Sequence, residues 1–278
     1  MRRPVVFAND PNLPDVIELR NITHEYPGKR REDPPRVVIR DLSLLFENMP
    51  ETGDIYTIIG ESGCGKSTLL RFIAGLQMPT SGEVLVQGKQ RDDKVVVGMV
   101  FQQYSSLHFR TVLENVELGL KLKGVSPQER RELAMEVIKI VGLEKEVDRY
   151  CFYPKLSGGQ LQRVAFARSL IANPGIILMD EPFGALDIRT RQKMQAMLCD
   201  IKRNYDITII LVTHALDEAV LLSDRIYVMS KDPAQIVKEF RINLPPERDK
   251  ETKRMPEYLR LVAEIDDYMT ELGSSSEN

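Results

Sequence analysis

The stretch GESGCGKST, residues 60–68, has the spacing of a phosphate-binding loop. Its glycines allow the backbone to turn tightly and to direct N–H groups at a β-phosphate. Lys66 adds a point charge for the β- and γ-phosphates, and the hydroxyl of Ser67 is placed to bind Mg²⁺. The predicted nucleotide-binding residues of this loop are Gly60, Glu61, Ser62, Gly63, Cys64, Gly65, Lys66, Ser67 and Thr68.

Apolar runs that alternate with helical patterns predict a mainly parallel sheet around this loop. The runs are 56–60, 95–101, 176–180, 208–213 and 225–230. Three of them end at a candidate functional residue, as expected where ligands bind outside the carboxyl ends of parallel strands.

The front of the chain has a different pattern. Segments 16–26 and 37–46 alternate apolar and polar residues, which predicts an antiparallel β subdomain. Segment 27–35 between them carries both signs of charge and predicts a solvated loop without a partner. The predicted fold class is therefore α/β, a P-loop NTPase with a mainly parallel sheet, an antiparallel β subdomain and an inserted α-helical subdomain.

Residues 105–172 form the inserted helical block. Within it, Ser126 and Glu129 flank a proline in the pattern of a capping box, which predicts the start of a helix. The same helix is predicted to end at Gly142. We therefore divide the chain into a nucleotide-binding core with its β subdomain, a helical subdomain, and a C-terminal tail and helix. The core with its β subdomain comprises residues 1–104 and 173–243. The helical subdomain comprises residues 105–172, and the tail and helix comprise residues 244–278.

A final helix is predicted from about residue 256 to residue 272. Its apolar residues recur at three–four spacing over two heptads, which is too short for an independent coiled coil. We expect this helix to fold back on its own domain as an accessory packing element. The residues of the seam are Tyr258, Leu261, Ile265, Tyr268 and Leu272.

Two carboxylates, Asp180 and Glu181, lie at the polar end of the apolar strand 176–180. Beside a phosphate-binding loop, Asp180 is expected to hold Mg²⁺. Glu181 points to the other face of the strand, where it is expected to polarise the attacking water. The alternative is an acidic pair that faces solvent. His214 follows another strand and could donate a hydrogen bond to a γ-phosphate, although a lone histidine is more often structural.

A second glycine-rich segment, LSGGQ at residues 156–160, opens a predicted helix. The free N–H groups and the positive dipole end of that helix form a second anion site. A single phosphate site cannot use both this helix start and the one that follows the phosphate loop. We therefore expect two chains placed head to tail, each completing the ATP site of the other. Alone, such a segment often marks only a loop. The residues predicted to act in this way are Ser157, Gly158, Gly159 and Gln160.

The order of these motifs resembles the ATPase subunit of ABC transporters. The resemblance implies that Gln102 contacts Mg²⁺ and the attacking water, with Gln103 as the neighbouring alternative. It implies that Asp187 lies in a loop that crosses the dimer interface. It implies that Tyr26 is the aromatic residue that stacks on adenine. The alternative is that Tyr26 has a structural role, packing beside a turn. The catalytic candidates are thus Glu181, His214 and Gln102.

Segments 180–187 and 212–225 resemble importer ATPases, and the tail 237–246 most resembles the nitrate, sulfonate and taurine importer ATPases. The chain departs from that group in its longer 27–35 loop and at 105–110, where SSLHFR replaces a proline–tryptophan pair. The resemblance implies hydrolysis of MgATP at the cytoplasmic face of a membrane and transmembrane permease subunits as partners. It also implies a homodimer with ATP and an extracytoplasmic solute-binding protein reached through the permease. An exporter ATPase or a soluble ABC machine is the alternative.

Cys64 lies inside the phosphate loop near a helix start, where a thiol pKa can be lowered. We therefore expect alkylation of Cys64 to abolish ATPase activity and MgATP to protect it. The alternative is an unreactive residue that fills a position for a small side chain.

Composition disfavours other classes of protein. With 38 Lys and Arg against 41 Asp and Glu, the 278-residue chain has a net charge of −3 and no nucleic-acid partner is expected. No apolar run approaches the roughly 18 residues that span a bilayer, and the first ten residues are a poor secretory signal. Its three cysteines have neither disulfide nor metal-ligand spacing, which favours the reducing cytosol. The 156–160 motif and Glu181 speak against a P-loop kinase or a non-hydrolysing binding module.

Overall fold

The computed structural model describes residues 17–28, 30, 33–47, 54–91, 97–102, 105–152, 154–172, 175–205 and 207–275. The strands are β1 (Ile17–Tyr26), β2 (Arg36–Phe46), β3 (Ile55–Gly60), β4 (Ser81–Val86), β5 (Lys89–Gln90), β6 (Gly98–Val100), β7 (Ile176–Asp180), β8 (Thr208–Val212), β9 (Arg225–Met229) and β10 (Ile236–Arg241). The α-helices are α1 (Lys66–Ala74), α2 (Val112–Val116), α3 (Leu118–Leu122), α4 (Pro127–Ile140), α5 (Gly158–Leu170), α6 (Ile188–Asn204), α7 (Leu216–Leu222) and α8 (Pro256–Ser275).

The central sheet has the strand order β10-β9-β3-β8-β7-β6. Strands β9, β3, β8, β7 and β6 run parallel, and β10 is antiparallel to β9. Strand β3 is buried along its whole length because alternate side chains enter two apolar clusters. Ile55 and Ile59 face one cluster, and Tyr56 and Ile58 face the other. The prediction of a mainly parallel sheet is confirmed.

A second sheet has the order β2-β1-β4-β5 and is antiparallel. The sequence predicted β1 and β2 but not β4 and β5. Strand β4 was missed because Ser81–Val86 begins with three exposed residues and only its second half is apolar. Its strand conformation depends on pairing with β1, in which Ile17 lies opposite Val86.

Helices α2 to α5 lie between β6 and β7 along the chain. The Ser126 hydroxyl accepts a hydrogen bond from the Glu129 N–H at the start of α4. Gly142, with φ 63°, follows the end of that helix as predicted. Among the helices of the described ranges, none combines the length and apolarity that a bilayer crossing requires.

Helix α8 folds back on the same chain. Tyr258, Leu261 and Ile265 are buried in the same apolar cluster as the core side chains of the helical block. The Tyr258 hydroxyl donates to the Asp217 carbonyl at 3.0 Å. At the other end of α8, a Cβ added to Gly273 would lie 3.6 Å from Oε1 of Glu61. The helix therefore extends from the start of α7 to the edge of the phosphate loop.

Candidate functional site

The phosphate loop joins β3 to α1. Gly65, with φ 106°, caps α1 in a left-handed conformation that a side chain would strain. The Lys66 ammonium is buried within the loop, where it donates to the carbonyls of Gly60 at 2.7 Å and Glu61 at 2.8 Å. The loop thus combines a fixed positive charge with the free N–H groups of a helix start, which together favour a phosphate.

A cleft of about 850 Å³ opens beside the loop, a volume within the usual range for small-molecule sites. Its lining contains the P-loop residues Ser62, Gly63, Gly65, Lys66, Ser67 and Thr68, together with Gln102, Glu181, Tyr26, Pro27, Gly28, Asp33, Pro34, Arg36 and Val38. Gly60, Glu61 and Cys64, which were also predicted to bind nucleotide, are not part of this lining.

The 27–35 segment is more than a solvated loop, because Gly28, Asp33 and Pro34 line the cleft. The segment folds onto itself so closely that a Cβ on Gly28 would lie 2.5 Å from Cβ of Asp33. Lys29, Arg31 and Glu32 lie outside the described residues. The adjacent Tyr26 was the only signal in the sequence that this loop borders the site.

Tyr26 lies at the end of β1, where it borders the phosphate loop. It lines the cleft, as an adenine-stacking side chain would. Its hydroxyl also lies 3.3 Å from Oγ1 of Thr68, within hydrogen-bond distance. This contact ties β1 to the phosphate loop and fixes the position of the ring.

Ser67, which lines the cleft, forms an oxygen pair with Asp180. The Ser67 hydroxyl donates to Oδ1 of Asp180 at 2.9 Å. Burial raises the pKa of the Asp180 carboxyl above its ordinary value, which a nearby cation would oppose. Hydroxyl and carboxylate oxygens are donors that Mg²⁺ prefers, so this pair could hold it.

Gln102, Glu181 and His214 converge at the carboxyl ends of β6, β7 and β8. The Gln102 amide donates to one carboxylate oxygen of Glu181 at 3.0 Å, and Nδ1 of His214 lies 3.2 Å from the other. Gln103 lies outside the described residues. The structure thus brings the three catalytic candidates together.

The backbone of Glu181 has a φ of 45°, which is rare for a residue with a side chain. Its N–H still bonds the Val212 carbonyl at 2.8 Å, so the sharp turn begins directly after β7. The two carboxylates consequently contact different partners, Ser67 for Asp180 and Gln102 with His214 for Glu181. Such strain at a cleft edge is typical of functional sites.

The second glycine-rich motif begins α5 away from the cleft lining. The Ser157 hydroxyl accepts from the Gln160 N–H, and the Ser157 N–H donates to the Gln160 side chain, which completes a capping box. The Gln160 amide also donates to Glu146 at 3.1 Å. The Gln160 side chain is therefore occupied within its own chain, whereas Gly158 and Gly159 provide N–H groups of the first helical turn.

Gly159 has a packing role that the sequence did not indicate. A Cβ at this position would lie 2.0 Å from Cγ2 of Thr190, so any other residue would displace the Thr190 side chain where α5 and α6 meet. Asp187 caps α6 by accepting from the Thr190 N–H at 3.1 Å, and hydrogen bonding from the Thr190 side chain, followed by that N–H, lowers the pKa of its carboxyl. The starts of α5 and α6 are therefore neighbours.

The structure contradicts the prediction of a reactive Cys64. Its side chain is only 2% exposed, and burial raises the pKa of the thiol above its ordinary value. Lys66, whose ammonium lies 3.7 Å from the sulfur, opposes this shift without reversing it. The tertiary packing of the loop thus outweighs the effect expected from a helix start.

We therefore expect Cys64 to resist alkylation by iodoacetamide at neutral pH in the folded protein, with or without MgATP. The measurement is mass spectrometry of the modified cysteines alongside residual ATPase activity. Denatured protein, in which Cys64, Cys151 and Cys199 all become accessible, is the positive control. Rapid labelling of Cys64 that MgATP prevents would contradict the burial argument.

Comparison with known proteins places this chain in a family. A family model described as ABC transporter matches residues 48–184. The chain is 42% identical over 257 residues to the nitrate import ATP-binding protein NrtD of Synechocystis sp., covering 90% of this chain and 93% of that protein. It is 46% identical over 194 residues to the taurine import ATP-binding protein TauB of Pelagibacter ubique, covering 69% and 72% respectively.

A solved structure shows the same fold. It is a dimeric ATP-binding cassette in a post-hydrolysis state bound to ADP and Pi, with a TM-score of 0.69 and 34% sequence identity. The match covers 82% of this chain and 99% of that one. The chain therefore belongs to the ABC transporter family as an ATP-binding subunit, an ATPase that uses ATP and Mg²⁺.

Proposed function

We propose that this chain is the motor subunit of a membrane importer and that it hydrolyses MgATP at two sites shared within a head-to-tail dimer. The observation that carries this proposal is the separation of the catalytic candidates from the second glycine-rich motif at the start of α5. Gln102 and Glu181 line the cleft beside the phosphate loop and His214 contacts Glu181, whereas the described residues at the start of α5 neither line that cleft nor contact these three side chains. This division supports a hydrolytic centre in one chain and a phosphate-binding helix start that acts at the site of a second chain.

Each residue of the hydrolytic centre has a distinct role in this proposal. Glu181 orients the attacking water and accepts its proton, because its carboxylate borders the cleft. His214 donates a hydrogen bond to the γ-phosphate, and Lys66 supplies positive charge to the β- and γ-phosphates. Tyr26 stacks on the adenine.

Mg²⁺ would be held by Ser67, Gln102 and Asp180, where it supplies positive charge to the phosphate oxygens. The 2.9 Å contact between Ser67 and Asp180 supports this donor set. The side chain of Gln102 also reaches Glu181, so it can respond to both the metal and the water.

The start of α5 completes the site of the partner. Ser157 bonds the γ-phosphate of the partner's nucleotide, together with the N–H groups of Gly158 and Gly159. Asp187 lies at the neighbouring start of α6 and couples the two sites. The dimeric assembly of the similar cassette supports this arrangement.

The transport partners are permease subunits, and the chain acts at the cytoplasmic face of the membrane. Residues 105–172, proposed as the helical subdomain, expose Phe109 and Tyr150 as a surface for such contacts. The nitrate and taurine import functions of the two relatives support a substrate of the nitrate, sulfonate and taurine type. A solute-binding protein would deliver it to the permease.

The test is to identify a permease and a solute-binding protein among the products of adjacent genes, to co-express them with this chain, and to reconstitute the complex in vesicles. We expect co-purification of the permease, and ATP-dependent accumulation of nitrate, taurine or another sulfonate on the side of the ATPase. The matched control is the same complex with Glu181→Gln. Movement of solute away from the ATPase side would instead support an exporter, and failure to associate with any permease would support a soluble machine.

A further inference from the structure

A buried carboxylate, Glu218, lies behind the strand end that carries His214. Its side chain is only 4% exposed. One carboxylate oxygen accepts from the Thr213 hydroxyl at 3.1 Å, and the same hydroxyl accepts from the Ala215 N–H at 3.0 Å. Glu218 therefore holds the backbone on both sides of His214 without itself lining the cleft.

The other oxygen of Glu218 faces Arg191 on α6. Nε of Arg191 lies 3.4 Å from it, close enough for an ion pair although the angle does not make a hydrogen bond. A second guanidinium nitrogen of Arg191 donates to the Leu186 carbonyl at 3.3 Å. Arg191 therefore contacts the turn that immediately precedes Asp187.

We infer that Arg191 and Glu218 are a positioning pair that couples the γ-phosphate contact at His214 to the partner-facing start of α6. The connection runs from the Leu186 carbonyl through Arg191, Glu218 and Thr213 to the His214 backbone. This inference rests on the proposed function, because it requires a second chain to face Asp187 and Ser157.

Burial makes the coupling effective. A half-buried guanidinium and a buried carboxylate cannot separate without leaving a charge poorly solvated, so α6 and the 213–215 backbone are expected to move together. Physical links of this kind can modulate coupling between sites without touching either ligand. The pair would thus position His214 and Asp187 relative to each other while taking no part in the reaction itself.

The test separates positioning from stability by removing both charges. In Arg191→Gln with Glu218→Gln, no buried charge remains unpaired, so the thermal midpoint should stay close to that of the parent. We nevertheless expect kcat to fall about tenfold while the KM for ATP changes less than about twofold. In a Glu181→Gln parent, the double change should also raise the dissociation constant of the ATP-bound dimer about tenfold.

The matched control is the ion pair Arg130–Glu117, which lies in the helical block with side chains 18% and 17% exposed. Arg130→Gln with Glu117→Gln should leave kcat and dimerisation unchanged. If the Arg191 and Glu218 double variant keeps the parent's kcat and dimer affinity, the inference is wrong even though the shared site stands. If the Glu181→Gln parent itself forms no ATP-dependent dimer, the shared-site proposal fails and the coupling inference fails with it.

Discussion

Replacement of Glu181 by Gln should lower the rate of ATP hydrolysis by about 10²–10⁴-fold, the usual contribution of a positioned acid–base group. The amide has nearly the same shape but cannot accept a proton from water. ATP binding should persist, because the phosphate loop and the Ser67–Asp180 pair are unchanged. Steady-state phosphate release measures the first effect, and equilibrium binding of labelled ATP measures the second.

A matched control is Glu83→Gln, which removes an exposed carboxylate on β4 that does not line the cleft. It should leave hydrolysis unchanged. Near-normal turnover by Glu181→Gln would assign the water-orienting role to another group. Loss of ATP binding by the same variant would mean that Glu181 holds nucleotide instead.

Two inactive variants should restore hydrolysis when they are mixed. Lys66→Ala removes the charge of the phosphate loop but keeps Ser157, whereas Ser157→Arg blocks the start of α5 but keeps the phosphate loop. Each alone should lose about 10²–10³-fold in rate, as expected when a phosphate or oxyanion donor is removed. A mixed dimer contains one complete shared site, so part of the activity should return in the mixture.

Ser157 also caps α5, so its replacement has a structural cost of about 1 kcal/mol besides any loss of phosphate contact. Ser126 provides the matched control, since its hydroxyl accepts from the Glu129 N–H in the same way at the start of α4. Ser126→Arg should lower stability by a similar amount and leave hydrolysis intact. Normal hydrolysis by Ser157→Arg alone, or no recovery on mixing, would contradict the shared site.

Several features of the fold could be predicted because they depend on short-range patterns. The apolar runs of β3, β7 and β8 predicted a parallel sheet, since strands covered on both faces are continuously apolar. The three–four spacing of Tyr258, Leu261 and Ile265 predicted the face of α8 that is buried. Each pattern lies within one element, where the period of the backbone sets which side chains share a face.

Features that depend on contacts between distant segments were missed or mistaken. Strand β4 forms by pairing with β1, which its own sequence does not indicate. The charged residues of the 27–35 segment likewise did not indicate that Gly28 and Pro34 line the cleft beside the phosphate loop. Cys64 was expected to be reactive from its neighbours along the chain, yet burial in the folded loop raises the pKa of its thiol.

The phosphate loop, the order of the candidate residues and the class of fold follow from the amino-acid sequence alone, because motif spacing and apolar periodicity are local properties. The contacts of Gln102 and His214 with Glu181, and that of Glu218 with Arg191 on another helix, depend on tertiary packing. These residues are separated by tens of positions along the chain. Their distances and burial follow from the packing of strands and helices, which no local pattern specifies.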